Sequence, residues 1–140
     1  MKNSILVFAI LLFTTTISCK EEKKTIKEPT KMEQVVAAHD ELMPLMSTIG
    51  SLISDLNKKL DSTKINKKYT DMKTDLQDSN TAMMDWMKGF GDRFDTGEIL
   101  NGKELSEEKK KWLDEEAIKV KALQEQMHSS IKKAKELLGN

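Results

Sequence analysis

A histidine and several methionines are the side chains whose types and spacing favour metal binding in this chain. His39 lies on an apolar stripe that recurs every seven residues from Met32 to Leu60, and Met43 and Met46 follow it one and two helical turns later. Imidazole and thioether groups together favour Cu(I), whereas zinc prefers cysteine, histidine or carboxylate ligands. The pattern therefore predicts a candidate soft-metal site on one face of a long helix.

A second group of methionines lies at the same height along the bundle as His39 if the first two helices fold back on each other. The spacing predicts helices over about residues 31–60 and 64–88, with Thr30 as the candidate N-cap of the first and Thr63 as the cap of the second. Because so short a link makes neighbouring helices antiparallel, we expect His39 to lie beside Trp86. The candidate ligands for Cu(I) are then His39, Met43, Met46, Met83 and Met87.

Ordinary core packing is the alternative interpretation of this cluster. Methionine is a flexible core filler, and a histidine on an apolar stripe is commonly a neutral, hydrogen-bonded core residue. Met84 fits that interpretation less well because it lies off the apolar stripe of its helix. Pro44, on the outer face of the first helix, is either a tolerated surface residue or the cause of a bend that opens space beside His39.

The remaining elements complete an all-α fold. A third helix is predicted over about residues 106–138, with Ser106 as its N-cap and Gly139 at its end. Gly89 is predicted to cap the second helix, with Gly91 as a further break, and the following loop to fold back over one end of the domain through Phe94, Ile99 and Leu100. We expect residues 31–140 to form an antiparallel, up-down-up three-helix bundle.

The amino-terminal region has the pattern of a bacterial lipoprotein signal. Ser4 to Ile17 is an apolar run too short for a comfortable membrane span, and Ser18-Cys19 follows it. We expect residues 1–18 to be a signal peptide, Cys19 to be lipidated, and residues 19–30 to be a flexible charged tether. Lys20-Glu21-Glu22 resembles the export signal of surface lipoproteins from Bacteroidota. The predicted location is the outer membrane, on the cell surface or the periplasmic face.

Charge and motif content narrow the classes of function. The formal net charge is zero, so the chain has no basic excess with which to bind nucleic acid. We recognise no nucleophile elbow, phosphate-binding loop or zinc-protease motif, and we expect no enzymatic activity. The expected partners are the membrane, through Cys19, and either an unknown protein or a second copy of the chain. Candidate residues for such self-association are Met84 and Ala38.

Four segments are similar in sequence to a family of small Bacteroidota lipoproteins labelled "viral A-type inclusion protein". They are His39–Pro44, Met83–Met87, Gly91–Phe94 and Lys119–Leu123. The resemblance covers most of Met32 to Leu138. We attribute the label to generic coiled-coil similarity and infer no viral role from it. The resemblance implies a membrane-tethered helical protein and assigns no activity and no functional residues.

Overall fold

The computed structural model describes residues 28–62 and 66–139 of the 140-residue chain. Within these ranges the fold is all-α, with no strand. The helices are α1 (Lys31–Ser62), α2 (Lys67–Arg93), α3 (Thr96–Leu100) and α4 (Glu107–Leu138). The predicted signal peptide, the lipidation of Cys19, the tether as far as residue 27 and the Thr63 cap lie outside the described residues.

A reciprocal pair of hydrogen bonds starts α1 at the predicted residue. The Glu33 amide donates to Thr30 Oγ1 at 3.2 Å, and the Thr30 amide donates to the Glu33 carboxylate at 2.6 Å. This is a capping box, which pairs backbone donors that a helix cannot satisfy within itself. The prediction that Thr30 is the N-cap of the first helix is therefore confirmed.

Two interleaved apolar stripes run along α1, and the structure buries them unequally. Val35, Leu42, Ile49 and Leu56 are each at most 2% exposed and form the α1 side of the core. In the stripe that contains His39, Met32 is buried, but the later residues are only half-buried. These are His39, Met46, Ile53 and Leu60. His39 therefore lies at the margin of the core, within reach of solvent.

The end of α2 differs from the prediction. The helix does not stop at Gly89 but continues through Gly91 to Arg93, and Phe94 is its C-cap. Phe90 and Phe94 are 7% and 3% exposed. Burying an aromatic ring contributes roughly 1.5 to 3 kcal/mol, which exceeds the cost of about 1 kcal/mol for a glycine inside a helix.

The other helix boundaries lie at or close to the predicted positions. Ser106 is the N-cap of α4 and accepts a hydrogen bond from the Lys109 amide at 3.2 Å. Gly139 ends α4 with a left-handed φ of 79°, a conformation that glycine adopts without strain. The start of α2 is three residues later than predicted, at Lys67, because Asn66 is the N-cap.

The segment predicted as one ordered loop contains the short helix α3. Asp95 and Glu98 form a second capping box, with reciprocal backbone-to-carboxylate bonds of 2.9 and 3.0 Å. Phe94 is buried and Ile99 packs half-buried against the core, as expected of a loop that covers one end of the domain. Leu100 does not take part, since it is 70% exposed.

The partners across α2 and α4 show that these helices run in opposite directions. Ser79 Oγ bonds to Ser130 Oγ at 2.9 Å, while Arg93, at the end of α2, bonds to Glu116, near the start of α4, at 3.0 Å. The partner number on α4 therefore falls as the number on α2 rises. That order requires an antiparallel pair.

Between α1 and α4, the residue numbers of the partners instead increase together. Lys31 pairs with Asp114, and the Gln124 amide donates to the Glu41 carboxylate at 3.5 Å. These helices are therefore parallel, which makes α1 antiparallel to α2. All three long helices contact one another, and α3 packs on α1.

Candidate functional site

One groove, where α1, α2 and α3 meet, contains two of the five side chains that the sequence singles out as metal ligands. It has a volume of about 320 Å³ and mainly apolar walls. We call it the His39 groove. Its lining residues are Val36, His39, Asp40, Trp86, Met87, Phe90, Gly91 and Ile99.

His39 is held in one orientation by its sequence neighbour. Its Nδ1 lies 3.0 Å from Asp40 Oδ1, and the side chain of His39 is 23% exposed. A carboxylate only accepts hydrogen bonds, so Nδ1 carries the ring proton and donates a hydrogen bond to Asp40. In the neutral ring, Nε2 then keeps a free lone pair, which is the state that binds a metal ion.

A row of stacked rings forms one side of the groove. The His39 ring lies 5.7 Å from the Trp86 ring with an interplanar angle of 28°, which confirms the predicted meeting of these residues. Trp86 stacks in turn on Phe90 at 5.0 Å, and Phe90 contacts Phe94 at 4.9 Å. Each such contact contributes about 0.5 to 1.5 kcal/mol beyond the buried area. The stack therefore fixes the imidazole against α2.

The five predicted metal ligands do not all lie at one place. His39 and Met87 both line the His39 groove. Met83 is fully buried in the core, Met46 packs half-buried against the core, and Met43 is 41% exposed. These three methionines are not among the lining residues. The structure thus reduces the candidate ligand set at the groove to one imidazole and one thioether.

Comparison of the chain with models of protein families, with curated proteins and with solved structures gives no match. Between residues 28–62 and 66–139, no three His, Cys, Asp or Glu side chains are grouped so that they could hold a metal ion. No helix within these ranges is both long and apolar enough to cross a membrane.

A larger groove lies between α2 and α4 but carries mixed charges. Its volume is about 780 Å³, and Lys68, Asp71, Asp75, Lys133 and Glu136 are among its lining residues. Because cations and carboxylates alternate around it, the groove presents no field of a single sign that would select a charged ligand. The smaller His39 groove is therefore the stronger candidate for a functional site.

A buried carboxylate that the sequence analysis did not identify lies at the same end of the domain. Glu116 is 2% exposed, and its carboxylate accepts hydrogen bonds from Arg93 at 3.0 Å and from Lys119 at 2.9 Å. The Arg93 guanidinium also lies 5.5 Å above the Trp112 ring. Two cations therefore neutralise this carboxylate. Its position four residues before Val120, on the stripe that faces the core, was the available sequence signal.

Two ion pairs hold α3 beside the groove and make it sensitive to acid. Lys109 bonds to the Glu98 carboxylate at 2.6 Å, and this bond, with the Asp95 backbone amide, holds the pKa of Glu98 below its ordinary value. Lys103 bonds to Asp95 at 2.7 Å and lowers the pKa of Asp95 in the same way. A lowered carboxyl pKa stabilises the fold above the ordinary pKa, and this stabilisation disappears as the pH falls through the folded-state pKa.

We expect Glu98→Gln to destabilise the domain at neutral pH and to lose this effect in acid. The difference in free energy of unfolding between wild type and variant should be constant above about pH 6, shrink as the pH falls past the ordinary carboxyl pKa near 4, and vanish below the lowered value. Chemical denaturation at a series of pH values measures this difference. Glu125→Gln, at an exposed site on α4, should show little difference at any pH. A difference for Glu98→Gln that grows in acid would contradict the assignment.

Proposed function

We propose that this chain is a lipid-anchored lipoprotein of the bacterial cell envelope, whose helical domain is a non-enzymatic binding or structural module. The observation that carries the proposal is the position of Cys19, which follows a short apolar run and Ser18 and precedes a charged segment. The resemblance to small Bacteroidota lipoproteins supports the same conclusion. In this proposal residues 1–18 are removed, and the anchored protein lies in the outer membrane, on the cell surface or the periplasmic face.

The proposed domain is an up-down-up bundle of α1, α2 and α4, which the directions of the interhelical pairs support. A tether of about a dozen residues between Cys19 and the Thr30 cap would reach roughly 20 Å as a random coil. The end of the domain nearest the membrane would then contain the start of α1, the end of α2 and α3. His39 lies near that end, between two and three turns along α1.

Metabolic labelling with a palmitate analogue tests the anchor. The full-length chain, expressed in a bacterium that processes lipoproteins, should incorporate the label and partition into the detergent phase. Cys19→Ser should abolish both, because the thiol that accepts the lipid is gone. Ser18→Ala is the matched control and should retain both, since a small residue remains before the cysteine. Labelling of Cys19→Ser equal to that of wild type would overturn the proposal.

The binding role has two forms, which differ in the partner. The domain binds another envelope protein, or it binds a second copy of itself through residues off the apolar stripes. Met84 is 52% exposed and supports the second form, whereas Ala38, the other candidate residue, packs partly buried against the core. Sedimentation of the detergent-solubilised protein over a range of concentrations, with Met84→Lys as the comparison, distinguishes the two forms.

Binding of Cu(I) is the second candidate function. The observation that favours it is that His39, oriented by Asp40, and Met87 line one apolar groove. A location outside the cytoplasm would place the protein where copper is handled. The test is the copper content of the full-length protein, purified without oxygen from cells grown with added copper. Copper that copurifies in stoichiometric amount supports this function, and a metal-free protein contradicts it.

A further inference from the structure

We propose that His39 Nε2 and the Met87 sulfur are the protein ligands of a Cu(I) site in the His39 groove, with Asp40 as the positioning residue of His39. This assignment rests on the second candidate function and specifies its site. It leaves Met43, Met46 and Met83, which the sequence pattern also suggests, outside the ligand set. The reason is their placement, since none of the three lines the groove.

The Asp40 carboxylate prepares His39 for a metal ion. Histidine ligands in metal sites commonly donate their other ring N–H to a carboxylate, which fixes the tautomer and makes the ligating nitrogen more basic. The 3.0 Å bond between His39 Nδ1 and Asp40 Oδ1 is such an arrangement. Stacking on Trp86 holds the ring further, so little side-chain entropy remains to be lost on binding.

The Met87 thioether and the apolar walls of the His39 groove indicate which ion the site binds. A thioether is a soft, uncharged donor that favours Cu(I) over zinc, calcium or magnesium. Val36, Phe90 and Ile99 leave the groove mainly apolar, which disfavours an ion that retains a water shell. Asp40 is the one carboxylate among the lining residues, and it accepts the hydrogen bond of His39 Nδ1. A neutral imidazole and a neutral thioether suit a monovalent ion, because the charge that must be desolvated is smaller than for a divalent ion.

Trp86 lies beside the proposed site and is not a ligand. Its ring is 8% exposed, lines the groove and lies against the imidazole. Because His39 and Phe90 both stack on this ring, Trp86 would shield the ion from solvent rather than bind it through an open face. Trp86 therefore provides an optical readout of the site.

Titration with Ag(I) in competition with a chelator tests the site, because Ag(I) shares the ligand preferences of Cu(I) and does not oxidise in air. The full-length chain is used in detergent with Cys19→Ser, so that no thiol competes for the ion. We expect one ion per chain and quenching of tryptophan fluorescence. Trp112→Phe should retain the quenching, since Trp112 lies against Arg93 and not in the groove.

Substitutions with matched controls locate the ligands. His39→Ala should weaken binding at least 100-fold, whereas His128→Ala, at an exposed histidine of α4, should change it less than twofold. Met87→Leu, which conserves volume, should weaken binding at least 10-fold, while Met84→Leu should have no such effect. Asp40→Asn should weaken binding about 10-fold and Asp40→Glu should restore most of the loss, with an unchanged thermal midpoint.

The outcomes of these experiments distinguish failure of the proposed site from failure of copper binding and from failure of the lipoprotein proposal. If Ag(I) binds but His39→Ala and Met87→Leu bind as wild type does, the site is wrong while copper binding by the chain stands. If wild type fails to compete with a weak chelator, both the site and the copper function are wrong, and the lipoprotein proposal is unaffected. If His39→Ala does not fold, the comparison of Met87→Leu with Met84→Leu decides alone.

Discussion

Replacement of Leu42 by alanine is expected to lower the free energy of unfolding by about 2 to 5 kcal/mol. Leu42 is fully buried on the α1 stripe that forms the core. Alanine would lose the transfer free energy of the missing carbons and would leave a cavity that three packed helices fill only in part. A single core in a domain of this size supports only a modest total stability. The variant should therefore be close to unfolding at physiological temperature.

Leu100→Ala is the matched control for this prediction. Leu100 has the same side chain and also lies in a helix, but it is 70% exposed, so its loss should change stability by less than about 0.5 kcal/mol. Urea denaturation followed by far-ultraviolet circular dichroism measures both variants. Equal losses for the two leucines would contradict the burial pattern and, with it, the assignment of the core to this stripe of α1.

Pro44→Ala is expected to stabilise the domain by as much as about 3 kcal/mol. Pro44 lies in the interior of α1 and has no N–H to donate to the Asp40 carbonyl, and its ring crowds that carbonyl. The side chain is exposed, so alanine would sacrifice no core packing. The substitution should therefore restore a helical hydrogen bond and remove the steric conflict. This gain should exceed the loss of proline's constraint on the unfolded chain, which is about 0.4 to 1 kcal/mol.

The shift in denaturation midpoint measures the effect, and Ser47→Ala supplies the control for alanine itself. Ser47 is exposed one turn further along α1, and its replacement should add only a few tenths of a kcal/mol. A decrease in stability for Pro44→Ala would contradict the interpretation that Pro44 only destabilises the helix. It would favour the interpretation that the proline shapes the backbone beside Asp40 and His39.

The sequence predicted the parts of this structure that depend on local interactions. The predictions of caps at Thr30, Ser106 and Gly139 are correct because capping is decided by hydrogen bonds within one helical turn. The contact between His39 and Trp86 was also predictable. A short link between two long helices makes them antiparallel, and this alone sets which residues share a level.

The error at the end of α2 arises from competition between local preference and burial. Gly89 and Gly91 favour an end to α2, but the burial of Phe90 and Phe94 extends the helix beyond them. The helix α3 was missed because five residues give too little periodicity. The spacing of Asp95 and Glu98, a capping-box signature, was a local signal that could have revealed it.

For the candidate site, the sequence by itself determined the residue types and the level at which they gather, because helical period and helix order are set along the chain. Only the tertiary structure decided which side chains share a surface. It placed Met87 with His39 in one groove and Met83 in the core. The physical reason is that Met83 and Met87, four residues apart, point within about 40° of each other but lie about 6 Å apart along the helix axis. The packing of the other helices at each level, and not the spacing, therefore decides what each side chain meets.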